Sequence, residues 1–137
     1  MATIVCDIDG TLIAPGGNVI SNTSQFLDEH SDEYTIAIVT ARQEDRRMST
    51  TLALSNADIS YDRLLMNKVG PTHEDGLKSK KENVDSLSDV VLAIDNDADV
   101  RALYESMGIT TAAPGDDLEA ALGETHNEGV DPNSMMD

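Results

Sequence analysis

Short apolar runs alternate along this chain with segments that carry the apolar spacing of helices. The five runs, rich in Val, Ile, Leu and Ala, are residues 2–7, 35–40, 62–66, 90–94 and 109–113. Such alternation is typical of βαβ units, whose right-handed crossovers place strands parallel in one sheet. The small branched residues of these runs suit a parallel sheet that helices cover. The sequence therefore predicts an α/β fold with a mainly parallel, five-stranded sheet flanked by helices.

Helices are expected between these runs, over residues 21–30, 44–56, 77–87, 98–107 and 118–122, with Gly123 ending the last one. Gly16-Gly17 indicates a tight turn, and residues 67–76, which contain Gly70-Pro71, are expected to form a loop. A chain of 137 residues accommodates one domain of ordinary size. We place that domain at residues 1–123 and expect residues 124–137, which are polar and acidic, to form a tail.

Polar residues follow three of the predicted strands at the point where each strand ends. Asp7 ends the first run and Asp9 lies two residues later, Thr40 ends the second, and Asp95 follows the fourth. In open α/β sheets, ligands bind outside the carboxyl ends of the strands. The sequence therefore predicts a binding or catalytic site at this edge of the sheet.

Two carboxylates and a hydroxyl at such an edge suit the hydrolysis of a phosphate monoester. That reaction requires a nucleophile, a proton donor for the leaving oxygen, and positive charge near the phosphoryl group. A carboxylate can be the nucleophile and form an aspartyl-phosphate. Because carboxylates repel a dianionic phosphate, a cation is also needed, and oxygen ligands favour Mg²⁺.

One lysine of the predicted 77–87 helix is expected to face this site. An apolar stripe with one lysine runs along the helix: Leu77, Lys80, Val84 and Leu87. The apolar members of the stripe must face the sheet, so Lys80 points inward with them. A buried ammonium is unfavourable unless it meets negative charge, which the aspartates provide. This geometry favours Lys80, with Lys78 as the alternative and Lys81 pointing elsewhere.

These residues resemble, in order, the four sequence motifs of the haloacid dehalogenase superfamily. Asp7-Ile8-Asp9-Gly10-Thr11 is similar to the DxDGT signature, and Thr40-Ala41-Arg42 to the second motif. A lysine at the start of a helix is the third motif, and Ile94-Asp95-Asn96-Asp97 resembles the acidic fourth. The resemblance covers residues 2–115 and implies a Rossmann-like fold.

The resemblance implies a Mg²⁺-dependent phosphatase that works through an aspartyl-phosphate. Asp7 would attack phosphorus, and Asp9 would protonate the leaving group and then activate water. The Mg²⁺ ligands would be the Asp7 carboxylate, the Asp9 carbonyl and Asp95. A second aspartate two residues after the nucleophile is typical of the phosphatases of the superfamily rather than of its dehalogenases.

Four further residues receive roles from the same resemblance. Thr40 and Lys80 would complete the catalytic set, and Thr11 and Arg42 would contact the substrate. Arg42 suits bidentate phosphate contacts, although at the start of a helix it could equally face solvent. Thr40, taken alone, could simply end a strand.

The fourth motif departs from the common pattern, because Asn96 stands where a second aspartate is usual. This substitution lowers the local negative charge and is expected to weaken metal binding. Asp97 or Asp99 could compensate as a ligand; the alternative is that they cap the following helix.

About 25 residues separate Thr11 from the second strand, which leaves no room for a cap domain. An open site in this superfamily suits a large substrate or a second subunit. Leu64-Leu65-Met66, the lysine helix and Tyr104-x-x-Met107-Gly108-Ile109 resemble the 3′-phosphatase half of polynucleotide kinases. The expected substrate is therefore a phosphomonoester, either a nucleotide or a nucleic-acid end.

The chain is strongly acidic, with a net charge of −17 from 26 acidic and 9 basic residues. This balance argues against general affinity for phosphate backbones, which depends on Lys and Arg. An acidic surface with few lysines and 3% aromatic residues is typical of halophilic proteins; an ordinary acidic cytoplasmic protein is the alternative. The halophilic interpretation predicts that stability rises with salt, because salt screens repulsion.

The chain has no apolar stretch near the ~20 residues that span a bilayer and no signal-peptide pattern, so a cytoplasmic location and no membrane association are expected. Cys6, in an apolar run, is expected to be buried and unreactive. The alternative to an enzyme is a non-catalytic binding or assembly protein with the same fold. A polar tail without a core of its own would need a homo-oligomer or an assembly partner to become ordered.

Overall fold

The computed structural model describes residues 1–128, and the side chains of residues 1–123. Five strands form one sheet in the order β3-β2-β1-β4-β5, and every neighbouring pair is parallel. The strands are β1 (Thr3–Cys6), β2 (Thr35–Gln43), β3 (Arg63–Asn67), β4 (Val90–Ile94) and β5 (Thr111–Ala112). The predicted fold class, an α/β Rossmann-like sheet flanked by helices, is confirmed.

Within residues 1–128, five helices cover the sheet: α1 (Ser21–His30), α2 (Arg47–Asn56), α3 (His73–Asp85), α4 (Ala98–Ser106) and α5 (Leu118–Glu128). A 3-10 turn, Glu44–Arg46, leads into α2. Within these residues, the chain between β1 and β2 forms turns, two isolated β-bridges and α1, so no cap domain is inserted there. In the same part of the chain, none of the helices combines the length and apolarity that a membrane crossing requires.

The core consists of two apolar clusters, one on each face of the sheet. Leu27, Leu54 and Leu122 pack α1, α2 and α5 against one face. Val84 and Tyr104 pack α3 and α4 against the other face. Side chains alternate along each strand, so successive residues of one strand contribute to opposite clusters. The sheet is therefore covered on both sides, as its apolar strands predict.

The strand register brings the predicted site residues to one edge. Cys6, the last residue of β1, lies opposite Ile38 of β2 and Ile94 of β4. Asp7 and Asp95 therefore leave the sheet side by side. The Asp7 N–H donates to the Ile94 carbonyl at 3.0 Å, which continues the pairing of the two strands one step past β1.

The loop predicted over residues 67–76 ends early, because α3 begins at His73. The Thr72 hydroxyl accepts a hydrogen bond from the Asp75 N–H at 3.0 Å, and Asp75 accepts one from the Thr72 N–H at 3.2 Å. This reciprocal capping box starts the helix upstream of Gly76, which lies buried inside it. The expected helix start, four residues later, was wrong.

The last helix also differs from the prediction. α5 continues through Gly123 to Glu128, and Gly123 does not adopt the positive φ that ends a helix at glycine. The helix end expected at this glycine was therefore wrong. Residues 124–128 of the expected tail belong to α5, and residues 129–137 lie outside the described part of the chain.

Candidate active site

Asp7 lies directly beyond β1 and is buried, with 6% of the residue exposed. Its Oδ1 accepts a hydrogen bond from Lys80 Nζ at 3.1 Å, and its Oδ2 accepts one from the Thr11 hydroxyl at 3.1 Å. The two donors come from different elements, since Lys80 lies in α3 and Thr11 in the turn after β1. The carboxylate is thus held in one orientation, as a positioned nucleophile requires.

Lys80 is buried, and its ammonium lies between two carboxylates. Nζ is 3.1 Å from Asp7 Oδ1 and 2.6 Å from Asp95 Oδ2. Burial alone would lower the pKa of Lys80, but the two carboxylates outweigh burial and raise the pKa above its ordinary value. Lys78 and Lys81 are exposed. The inward stripe of α3 therefore brings Lys80, of the three lysines, to Asp7.

The charge of Asp7 is only partly compensated. Burial raises the pKa of Asp7 to about 6; Lys80 opposes this rise and Asp95 adds to it. The ionised carboxylate is therefore less stable here than in water. A further positive group beside Asp7 would be bound favourably for the same reason.

Asp9 points toward solvent and is held by Arg42. Arg42 Nε donates to Asp9 Oδ2 at 2.9 Å and Nη2 donates to Oδ1 at 2.7 Å, which is a bidentate pair. These hydrogen bonds hold the pKa of Asp9 below its ordinary value, although partial burial opposes them. Arg42 was expected to contact the substrate, and in this structure its guanidinium contacts Asp9.

Thr40 lies in β2, next to β1, and is buried. Its hydroxyl oxygen accepts a hydrogen bond from the Arg42 N–H at 3.1 Å. The hydroxyl hydrogen can still be donated, since a threonine hydroxyl both accepts and donates. Thr40 therefore keeps the donor that its expected role, binding a phosphoryl oxygen, requires.

Thr11 ties the turn after β1 to the chain after β4. It is fully buried, its hydroxyl donates to Asp7 Oδ2, and the same oxygen accepts from the Asn96 N–H at 3.0 Å. Thr11 was expected to contact the substrate. The Thr11 hydroxyl is buried, and it both donates and accepts a hydrogen bond within the protein. Thr11 therefore positions Asp7 instead.

The Asn96 side chain faces two oxygens that the resemblance assigns to Mg²⁺. One terminal atom of its amide lies 3.0 Å from the Asp9 carbonyl oxygen and 3.0 Å from Asp7 Oδ2. If that atom is the nitrogen, it donates to both oxygens. If it is the oxygen, three oxygen atoms face one another, and oxygen atoms are the ligands that Mg²⁺ prefers. These residues therefore fit a Mg²⁺ ion.

Gly10 allows Asn96 to approach so closely. The φ of Gly10 is +79°, a backbone conformation that residues other than glycine rarely adopt. A Cβ at this position would also collide with the Asn96 amide. The glycine of the DxDGT signature is thus required by the backbone and by its neighbour.

Asp95 was expected to be a metal ligand, and the structure gives both of its oxygens protein donors. Oδ2 accepts from Lys80, and Oδ1 accepts from the Asp97 N–H at 2.9 Å. Asp97 in turn caps α4 by accepting from the Asp99 N–H at 2.8 Å, which confirms the capping alternative for Asp97. Asp99 pairs with His73 at 3.0 Å.

Two residues of this region, Thr50 and Arg101, were not predicted. Arg42 Nη1 donates to the buried Thr50 hydroxyl in α2 at 3.3 Å, which helps to fix the guanidinium. Arg101 Nη1 donates to the Asp95 carbonyl at 2.8 Å. Neither residue lies within a recognised motif, and their contacts depend on how α2 and α4 pack, so the sequence offered no signal for them.

No protein-family profile and no curated protein matches the chain. Among solved structures, a chain of the Pnkp1/Rnl/Hen1 RNA repair complex matches with a TM-score of 0.72 and 21% identity, over 84% of this chain and 43% of that one. A chain from another structure of the Pnkp1/Rnl/Hen1 complex matches with a TM-score of 0.71 and 20% identity, over 84% and 47%. The chain thus spans less than half of these neighbours, and it shares their fold.

Proposed function

We propose that this chain is a Mg²⁺-dependent phosphomonoester hydrolase that forms an aspartyl-phosphate on Asp7. The observation that carries this proposal is the buried cluster of Asp7, Lys80 and Asp95 at the carboxyl edge of the sheet, with Asp9 beside it. A buried, oriented carboxylate with a cation partner is suited to nucleophilic attack.

Lys80 keeps Asp7 ionised in spite of its burial and orients the carboxylate toward the substrate. During attack, a bond forms between an Asp7 oxygen and phosphorus, and the bond to the leaving oxygen breaks. Thr40 then donates its hydroxyl hydrogen to a phosphoryl oxygen. Arg42 also binds the phosphoryl oxygens if its guanidinium moves from Asp9 to the phosphate. The paired N–H groups of a guanidinium match the oxygens of a phosphate as well as those of a carboxylate.

Asp9 supplies the proton that the leaving oxygen needs and later removes one from water. The Arg42 pair keeps Asp9 ionised in the free protein, so Asp9 first takes up a proton from solvent once Arg42 has moved to the phosphate, and then passes that proton to the leaving oxygen. Asp7, the Asp9 carbonyl and Asn96 or Asp95 would hold Mg²⁺. When bound, Mg²⁺ supplies positive charge that offsets the repulsion between phosphate and carboxylates.

The substrate we propose is a nucleotide or the phosphorylated end of a nucleic acid. No cap covers the site within residues 1–128, so a large substrate can reach Asp7. The structural neighbours belong to a complex that is described as one for RNA repair. Their membership of a complex also favours a second candidate, a non-catalytic assembly module of the same fold.

Intact mass spectrometry after a brief reaction with excess p-nitrophenyl phosphate and Mg²⁺ tests the proposal. We expect wild-type protein to release p-nitrophenol. Asp9→Asn should accumulate a phosphoryl adduct, because the acidic leaving group needs little help while hydrolysis of the adduct lacks its base. Asp7→Asn should show neither adduct nor turnover, and the exposed-acid control Asp85→Asn should match wild type. An adduct on Asp7→Asn, or no turnover by wild type, would favour the assembly module.

A further inference from the structure

α2 differs in charge from the other helices of residues 1–128. Each of α1, α3, α4 and α5 carries at least two acidic residues, whereas α2 contains one arginine and no acidic residue. With a net charge of −17 on each chain, two copies of the protein repel each other over most of their surfaces. Among these helices, α2 is therefore the one along which two copies can approach with the least repulsion.

The outer face of α2 presents two large apolar residues beside two small ones. Met48, Thr51, Leu52 and Ser55, which we call the α2 patch, recur at i, i+3, i+4 and i+7 and are all exposed, Met48 to 87% and Leu52 to 60%. They line an open cavity of about 670 Å³. The inner face, with Thr50 buried, packs toward the sheet. An exposed apolar patch of this kind marks an interaction surface.

The turn that leads into α2 carries acids, but its charge is balanced locally. Residues 44–47 hold two acidic residues and two arginines. Arg47 Nε donates to Glu44 Oε1 at 2.6 Å, and Nη2 donates to Glu44 Oε2 at 3.1 Å, which is a bidentate pair. The N-terminal end of α2 therefore adds no net charge that would repel a second copy of the helix.

The two edges of the sheet are poor surfaces for association. β3 is one edge strand, and side chains already occupy two of its carbonyls: Arg47 Nη2 donates to Leu64 O and Asn83 Nδ2 donates to Met66 O, both at 3.1 Å. The other edge strand, β5, is two residues long. Short edges and edges covered by side chains disfavour pairing with a strand of another chain. Association is therefore expected through a helix face rather than through the sheet.

We propose that the α2 patch binds the α2 patch of a second copy of this chain, in a two-fold dimer with antiparallel α2 helices. A two-fold axis that passes between Thr51 and Leu52 places Met48 opposite Ser55 of the second copy, and Leu52 opposite Thr51 of the second copy. Each large side chain then faces a small one, as in well-packed helix pairs. The antiparallel arrangement also sets the positive end of each helix dipole beside the negative end of the other.

The size of the α2 patch and the charge of the chain set the strength of this dimer. α2 is about 15 Å long at 1.5 Å per residue, and each copy contributes two large apolar side chains, so the interface is smaller than that of a permanent dimer. The acidic surfaces outside the patch still repel, and salt screens that repulsion. Dimerisation should therefore depend on concentration and strengthen with salt. It does not depend on the proposed phosphatase function.

Sedimentation velocity over a dilution series of the full chain, in about 0.1 M and about 1 M NaCl, tests the dimer. We expect a monomer–dimer equilibrium that shifts toward dimer at the higher salt. Leu52→Gln should lower the association constant at least about tenfold, because each dimer loses this side chain twice. The matched control Val19→Gln, at an apolar residue that is 40% exposed outside the patch, should behave like wild type. A wild-type monomer in all conditions, or a dimer that Leu52→Gln leaves unchanged, would overturn the inference.

An exchange of a large and a small residue tests the two-fold packing itself. Ser55→Met alone adds apolar surface, but in the proposed register it meets Met48 of the second copy, so it should weaken the dimer by overpacking. Met48→Ser alone should weaken it by loss of contact. The two substitutions together restore one large and one small residue at each pair, so the double variant should dimerise more strongly than either single variant. A stronger dimer for Ser55→Met alone, or a double variant no better than the single ones, would refute the two-fold packing.

Discussion

Replacing the proposed nucleophile should stabilise the metal-free protein. Asp7 is 6% exposed, and its pKa is raised from an ordinary 3.8 to about 6, chiefly by burial. Asp7→Asn keeps the shape of the side chain and removes the charge that burial disfavours. We therefore expect the variant to unfold at higher urea concentration than wild type at neutral pH, in buffer that contains EDTA.

The size and sign of the effect follow from proton linkage. Folded wild type binds a proton at Asp7 more tightly than the unfolded chain does, so its stability falls as pH rises from 3.8 to about 6. At 1.36 kcal/mol per pH unit, the full penalty above pH 6 is about 3 kcal/mol. Asp7→Asn lacks this penalty, so its advantage should be about 1.5 kcal/mol at pH 5 and about 3 kcal/mol at pH 7.5.

Asp9→Asn provides a control of opposite sign. Arg42 lowers the pKa of Asp9, so loss of this charge should destabilise the protein. Because the Asp9 side chain is 61% exposed, solvent screens the pair and the loss should stay below about 1 kcal/mol. Urea unfolding of both variants at pH 5 and 7.5 measures the free energies directly. If Asp7→Asn is less stable than wild type, or its advantage does not change with pH, the linkage argument is refuted.

Two further predictions concern the Lys80 ammonium and the proposed Mg²⁺ ion. Lys80→Met should destabilise the protein by about 3–5 kcal/mol in urea unfolding at pH 7.5, because it leaves two buried carboxylates unpaired; adding Asp95→Asn should recover part of this loss, and no recovery would contradict the pairing. Asn96→Ala should weaken Mg²⁺ binding at least about tenfold, and Asn96→Asp should strengthen it, as measured by the rise of Tm with Mg²⁺. An equal rise of Tm in both variants would show that Asn96 does not face the ion.

Most of the fold could be predicted because its signals are local. The apolar runs of the five strands are short and bounded by polar residues, so their positions were recognisable. The start of α3 was missed because Gly70-Pro71 and Gly76 indicate a loop, whereas the capping box of Thr72 and Asp75 prevails. That signal was present in the sequence, since a threonine followed three residues later by an acid is a known helix start.

The candidate site likewise contains some residues that helical periodicity predicts and some contacts that depend on the path of the loops. Lys80 could be chosen because helical spacing places it with apolar residues that must face the sheet. The bidentate contact between Arg42 and Asp9 could not be foreseen, because it depends on the path of the chain after β1 and β2. For the same reason the resemblance assigned Thr11 to the substrate, although its hydroxyl is buried against Asp7.

The charge of the surrounding cluster explains why an asparagine, rather than an aspartate, suits position 96. Three carboxylates and two cations meet there, which leaves a net charge of −1 in a mostly buried space. An aspartate in place of Asn96 would face Asp7 Oδ2 and the Asp9 carbonyl without any proton to donate, so the metal-free protein would contain two further repulsive contacts. The amide avoids this repulsion, because its nitrogen can donate to both oxygens when no cation is present. Rotation of the same amide by half a turn presents its oxygen instead, so one side chain satisfies the cluster in both states. Asn96→Asp should therefore lower the stability of the protein in EDTA and raise it at saturating Mg²⁺, and a change of the same sign in both conditions would refute this account.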